Sequence, residues 1–239
     1  VANPIEQFEI RPLVPMEVAG VNVSFTNSSL LMVAAVVLIT VFLTVGMRHR
    51  SLVPGRWQSM AEMSYEFVAN MLRDNVGSEG RKYFPFIFTL FMFVLFGNLL
   101  GMIPFSFTFT SHTIVTFALA AFVFIMVTII GFARHGTHYL RMFFPHGAPL
   151  VTAVILVPIE LISYLSRPFS LAVRLSANMT VGHIMLKVVA GFVPIGILGI
   201  LPLGFLAGIT ILEFGIALLQ AYVFTILSCI YLNDAINMH

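Results

Sequence analysis

An otherwise apolar run from Leu150 to Ala190 carries Glu160, Arg167, Arg174, His183 and Lys187. In a bilayer each such group costs roughly 3 to more than 10 kcal/mol, so it needs a functional reason to be there. At about 100° per helical residue, Glu160, Ser163, Arg167, Ser170 and Asn178 all fall within about 40° of Arg174 and make one polar stripe. His183 falls about 180° from Arg174 and Lys187 about 40° beyond it, so the polar character crosses to the opposite face past Arg174. Glu160 precedes Arg174 by ~21 Å along the axis and His183 follows it by ~14 Å. Two hydrophilic paths therefore lead from Arg174 toward opposite membrane surfaces. The next apolar segment offers Glu213 and Gln220, within about 20° of each other and placed to meet His183 and Arg174 respectively. Imidazole and carboxyl groups exchange protons near neutral pH once burial shifts them, whereas a guanidinium keeps its proton. The chemistry is that of a proton relay through His183, Glu213 and Glu160, interrupted by a fixed cation at Arg174 that works as a gate. Asn178 and Gln220 fit support of that gate and equally the joining of helices. Lys187 reads as a snorkelling lysine.

The elements that must position these groups are membrane helices. Hydrophobic residues make up 59% of the 239 and charged residues 9%, against roughly a quarter charged in a soluble domain. That balance argues against a cytosolic enzyme or a nucleic-acid binder and excludes a disordered chain. The expected fold is an all-α integral membrane protein with about five embedded helices and one interfacial amphipathic helix. We read residues 1–239 as a single membrane domain. Residues 1–26 form an external tail with Glu6, Glu9 and Glu17 against Arg11, and 28–47 the first span. Residues 55–80 follow as the interfacial helix, with Trp57, Met60, Phe67, Val68, Met71 and Leu72 on one side and Gln58, Glu62, Glu66, Asn70 and Arg73 on the other. Residues 83–133 make a transmembrane hairpin turning around Pro104 to Ser111, and 150–236 a long helical hairpin. A single helix from Leu150 to Ala190 would extend ~62 Å, about twice the hydrocarbon thickness. It must be strongly tilted, or broken at Pro158 or Pro168.

Eight of the twelve basic residues, at positions 48, 50, 56, 73, 81, 82, 134 and 141, come to one side when the first three spans alternate. By the positive-inside rule that side is the cytoplasm or matrix. Cys229 is a lone cysteine, and His135 with His138 lacks a third ligand or an HExxH helix, so no metal site is read. No phosphate-binding glycine loop or GxSxG motif is present. A proton-coupled secondary transporter would also use buried Glu, His and Arg, but the chain has no visible internal repeat.

Ser-Arg-Pro-Phe-Ser-Leu-Ala-Val-Arg-Leu-Ser-Ala-Asn-Met, Ser166 to Met179, resembles the signature of the subunit a family of F-type ATP synthases. Leu218 to Tyr222 resembles that family's second signature and Asn98 to Pro104 its Asn-Leu-x-x-x-x-Pro turn, so the likeness covers nearly the whole chain. His at 183 and Glu at 213 stand in the order of mitochondria and their bacterial relatives; Gly101 and Ser106 replace the aspartates some bacterial members carry in the turn. The resemblance implies a stator proton channel with two offset half-channels. Arg174 would be its indispensable charge, Asn178 and Gln220 the amide partners, His183 and Glu213 the outer half-channel, and Glu160 the acidic residue near the inner one. It also implies a rotating ring of c subunits with buried carboxylates, wrapped by the tilted hairpin, together with peripheral-stalk b-type subunits, membrane lipid and protons as the transported ion. It implies no cofactor, no metal, no nucleic acid, and no nucleotide catalysis by this subunit itself. The implied location is the bacterial inner membrane, with the mitochondrial inner membrane as alternative.

Overall fold

The structure is a computed structural model that describes residues 10, 12–15, 17–18, 21–22, 24–48, 53–103, 108–143, 150–193 and 200–237. The readings made for residues 1–9, Arg11, Arg50, Pro104 and Ser106, and for the side chain of Arg141, lie outside those residues. The amino-terminal segment, read as a tail, holds two short antiparallel pairs. β1 (Pro12–Val14) lies beside β4 (Phe25–Thr26), and β2 (Glu17–Val18) beside β3 (Val21–Asn22).

Six α-helices follow: α1 (Asn27–Met47), α2 (Arg56–Val76), α3 (Phe84–Gly101), α4 (Thr113–His135), α5 (Leu150–Ala190) and α6 (Ile200–Ile236). Among the described residues five segments are long and apolar enough to cross a membrane, at residues 27–47, 78–101, 113–139, 155–190 and 201–236. Thr26 caps α1, its hydroxyl accepting from the Ser29 amide at 3.3 Å. Along α1 the Thr40 and Thr44 hydroxyls donate to the carbonyls of Val36 and Thr40, at 2.8 and 2.7 Å, so neither hydroxyl is left open to lipid. Gly46 brings α1 onto α2, where a Cβ would stand 3.0 Å from Ala61 Cβ.

The apolar residues of α2 share one arc, as the sequence pattern predicts, but not one environment. Val68, Met71, Leu72 and Val76 enter the core, while Trp57, Met60 and Phe67 stay exposed. The reason is that α2 packs against α1, α3 and α6, which claims one edge of a broad apolar arc and leaves the other outward. Gly77, at φ +78°, ends α2 in a conformation that other residues resist, and a 3₁₀ turn over Ser78–Tyr83 leads into α3. An ion pair between Arg134 and Glu79 joins that turn to the end of α4.

α5 runs unbroken through Pro158 and Pro168 for 41 residues, and α6 for 37. They pack on each other and on α4, and α6 also packs on α3. Buried Asn98 on α3 donates from Nδ2 to the Ala217 carbonyl of α6 at 3.1 Å. At the other end of the bundle, His135 Nε2 meets the Ile236 carbonyl at 3.0 Å, so α6 finishes beside the basic end of α4. The core joins Leu90, Phe91 and Val94 of α3, Val123 and Val127 of α4, Leu171 and Leu175 of α5, and Phe224 and Leu232 of α6.

Candidate functional site

α5 crosses the bundle from the basic end to the opposite end, and its polar residues are sorted along that path. At the basic end Tyr164 Oη lies 3.0 Å from Tyr139 Oη and 2.7 Å from Thr128 Oγ1. One turn on, Arg167 Nη1 donates to Asp234 Oδ2 of α6 at 2.9 Å. Glu160, two turns before Arg167, is half-buried. At the opposite end His183 Nε2 lies 3.1 Å from the hydroxyl of Thr108, in the connection between α3 and α4. Thr180 donates to the Ser111 carbonyl at 3.1 Å, and Ser176 accepts from Thr113 at 3.2 Å. The two polar groups that the helical angles separate are thus at opposite ends of the bundle, with Arg174 between them.

Arg174 and Asn178 stand on the exposed face of α5, beside Val173, Ala177 and Val181, which are exposed as well. The neighbouring face of α6 exposes Ile211, Leu212, Phe214, Leu218 and Leu219. Among the described residues no ion pair involves Arg174. The arrangement differs from the expected meeting with Gln220, which is buried and makes no hydrogen bond to Arg174 among the described residues. α6 turns Gln220 inward with Ala217, Ala221 and Phe224, while α5 turns Arg174 outward.

Glu213 is 6% exposed and both its carboxyl oxygens lack a hydrogen-bond partner. It does not bond His183; its carboxyl group lies on the backbone of Gly182, where a Cβ would stand 2.5 Å from Oε1. Absence of a side chain at 182 leaves room for the carboxyl group between α5 and α6. Buried polar side chains are normally satisfied, so a carboxyl group held this way is a candidate for chemistry rather than for packing.

Thr108, Ser111 and Thr180 were not singled out in the sequence, although Thr108, Thr110, Ser111, His112 and Thr113 form a legible polar run between two spans. The Thr108 hydroxyl donates to the Gly101 carbonyl at 3.3 Å and also lies 3.1 Å from His183 Nε2, so it ties the imidazole to the end of α3. Burial holds the imidazole of His112, in the same connection, below its ordinary pKa. Asp234, with Tyr164 and Tyr231 around Arg167, was also missed; a carboxylate at a helix end gives no sequence signal of its partner 67 positions away.

Comparison with known proteins places these features in a wider group. The family model described as ATP synthase A chain matches residues 29–233. The chain is 74% identical to ATP synthase subunit a of Paramagnetospirillum magneticum, with all of both chains covered. It is 70% identical to ATP synthase subunit a of Rhodospirillum rubrum over 99% of each chain. It is 53% identical to that of Pelagibacter ubique over 99% of this chain and 98% of the relative.

Proposed function

The chain belongs to the ATP synthase subunit a family, and from that membership we propose that it is the stator proton channel of its complex, exchanging protons with a ring of c subunits through two offset half-channels. It is a multi-pass membrane subunit of the Fo sector, with bacterial relatives. Protons enter at the end opposite the basic residues, pass His183 and Glu213 with Asn178 at the edge of the outward face, and neutralise a carboxylate on the ring. The neutral group travels through lipid and returns on the Glu160 side. There the Arg174 guanidinium favours the ionised carboxylate, and the released proton leaves past Glu160. Because arginine neither accepts nor releases a proton near neutral pH, it also blocks a direct step from one path to the other. Gln220 supports the site from within the α5–α6 contact. Peripheral-stalk b-type subunits and the bacterial inner membrane complete the setting.

The observation that carries this reading is Arg174 on an exposed helix face, with Asn178 beside it and the apolar Val173, Ala177 and Val181 around them. A guanidinium facing hydrocarbon there is costly, and a partner surface bearing buried carboxylates removes the cost. In inverted membrane vesicles Arg174→Ala should abolish proton-driven ATP synthesis and leave a passive proton leak. Full coupling in that variant rejects the proposal. Glu213→Gln should slow proton flux without uncoupling it.

A further inference from the structure

Arg167 lies two helical turns from Glu160 on one side and from Arg174 on the other, about 10 Å along the axis in each direction. A second bare cation there would oppose any proton travelling between those positions. Arg167 is held otherwise. Its guanidinium donates to Asp234 at 2.9 Å, lies 5.5 Å from the Tyr164 ring centroid and 5.1 Å from that of Tyr231. Tyr164 is itself fixed by the hydroxyls of Tyr139 and Thr128. Among the described residues this is the ion pair that joins the two long helices, the others being Arg73 with Asp74 and Arg134 with Glu79.

We propose that Asp234 is a positioning residue for proton exit: it neutralises Arg167 and pins it between two tyrosine rings, so that Arg174 alone presents a free positive charge to the inner path. The inference rests on the channel reading above. It assigns to the carboxyl-terminal end of α6 an electrostatic role, which a simple helix-to-helix tie would not have. The tie needs both partners equally. Charge compensation does not: removing only the carboxylate frees a cation in the proton path, while removing both charges leaves none.

The test uses the assembled complex in inverted vesicles, stripped of its soluble sector to read passive proton conduction, with D234N, R167Q/D234N and R174A compared at equal amounts of complex. D234N should lose roughly tenfold in conduction, as expected for an uncompensated charge about 10 Å away. R167Q/D234N should regain most of that loss. Equal losses in D234N and the double variant, or no loss in D234N, overturn the proposal. Should D234N fail to assemble while R167Q/D234N assembles, conduction by the double variant decides: near wild-type conduction supports the proposal, and a roughly tenfold loss overturns it. Failure of both to assemble means a structural tie and overturns it. Full proton-driven ATP synthesis in R174A, read in the same vesicles before the soluble sector is stripped, would instead defeat the channel reading, whatever D234N does.

Discussion

At Gly182 an added methyl group would stand 2.5 Å from Glu213 Oε1, and the atom in the way is the far end of a flexible side chain. Gly182→Ala is therefore tolerated by the fold, since Ala favours a helix interior over Gly by roughly 0.5–1 kcal/mol. It still displaces the carboxyl group. Proton flux should fall about tenfold to a hundredfold, the scale of a misplacement of about 1 Å at a reacting group, while the amount and thermal stability of the complex stay near wild type. A loss of stability matching the loss of flux would contradict the placement. Thr108→Val removes the hydroxyl that His183 meets at 3.1 Å. Flux measured across pH should fall in T108V and recover in Thr108→Ser, which restores the hydroxyl.

Among the elements, α3 and α6 are joined by one buried polar contact, Asn98 to the Ala217 carbonyl. Asn98→Leu should lower the stability of the detergent-solubilised complex by about 1–3 kcal/mol, read as a lower temperature of dissociation with little change in the pH profile of flux. The run of helices was legible because length and apolarity alone decide a span: α1, α3, α4, α5 and α6 lie where long, predominantly hydrophobic sequence stands. The crossing of polarity along α5 was legible for the same kind of reason, since angles within one helix follow from spacing. Rotation of one helix against another does not follow from spacing. That is why Glu213 meets the backbone of Gly182 rather than the His183 ring, and why Gln220 turns inward away from Arg174. The division of α2, with Val68 in the core and Trp57 outward, depends on three neighbours whose positions its own sequence does not encode. The pairing of Arg167 with Asp234 is of the same kind, a contact set by the packing of α5 on α6.

For the whole molecule, the ends of α4 and α6 lie together through His135 and Ile236, at the end where Arg134 pairs with Glu79. By the positive-inside rule we propose that this end faces the cytoplasm. Cys229 is fully buried, so an introduced cysteine is a clean reporter. A membrane-impermeant maleimide should label Ser78→Cys in inverted vesicles and not in intact spheroplasts, and Val14→Cys in spheroplasts and not in inverted vesicles. The opposite pattern would reverse the direction of both proton paths.

All of the proposed chemistry turns on what covers the outward face of α5 at Arg174. A density map of the assembled complex tests this most directly. The account predicts the Arg174 guanidinium within about 4–6 Å of a carboxyl group on a ring subunit, the range in which a cation holds a carboxylate ionised. A guanidinium facing acyl chains or bulk water, with no acidic partner along that face, would contradict it.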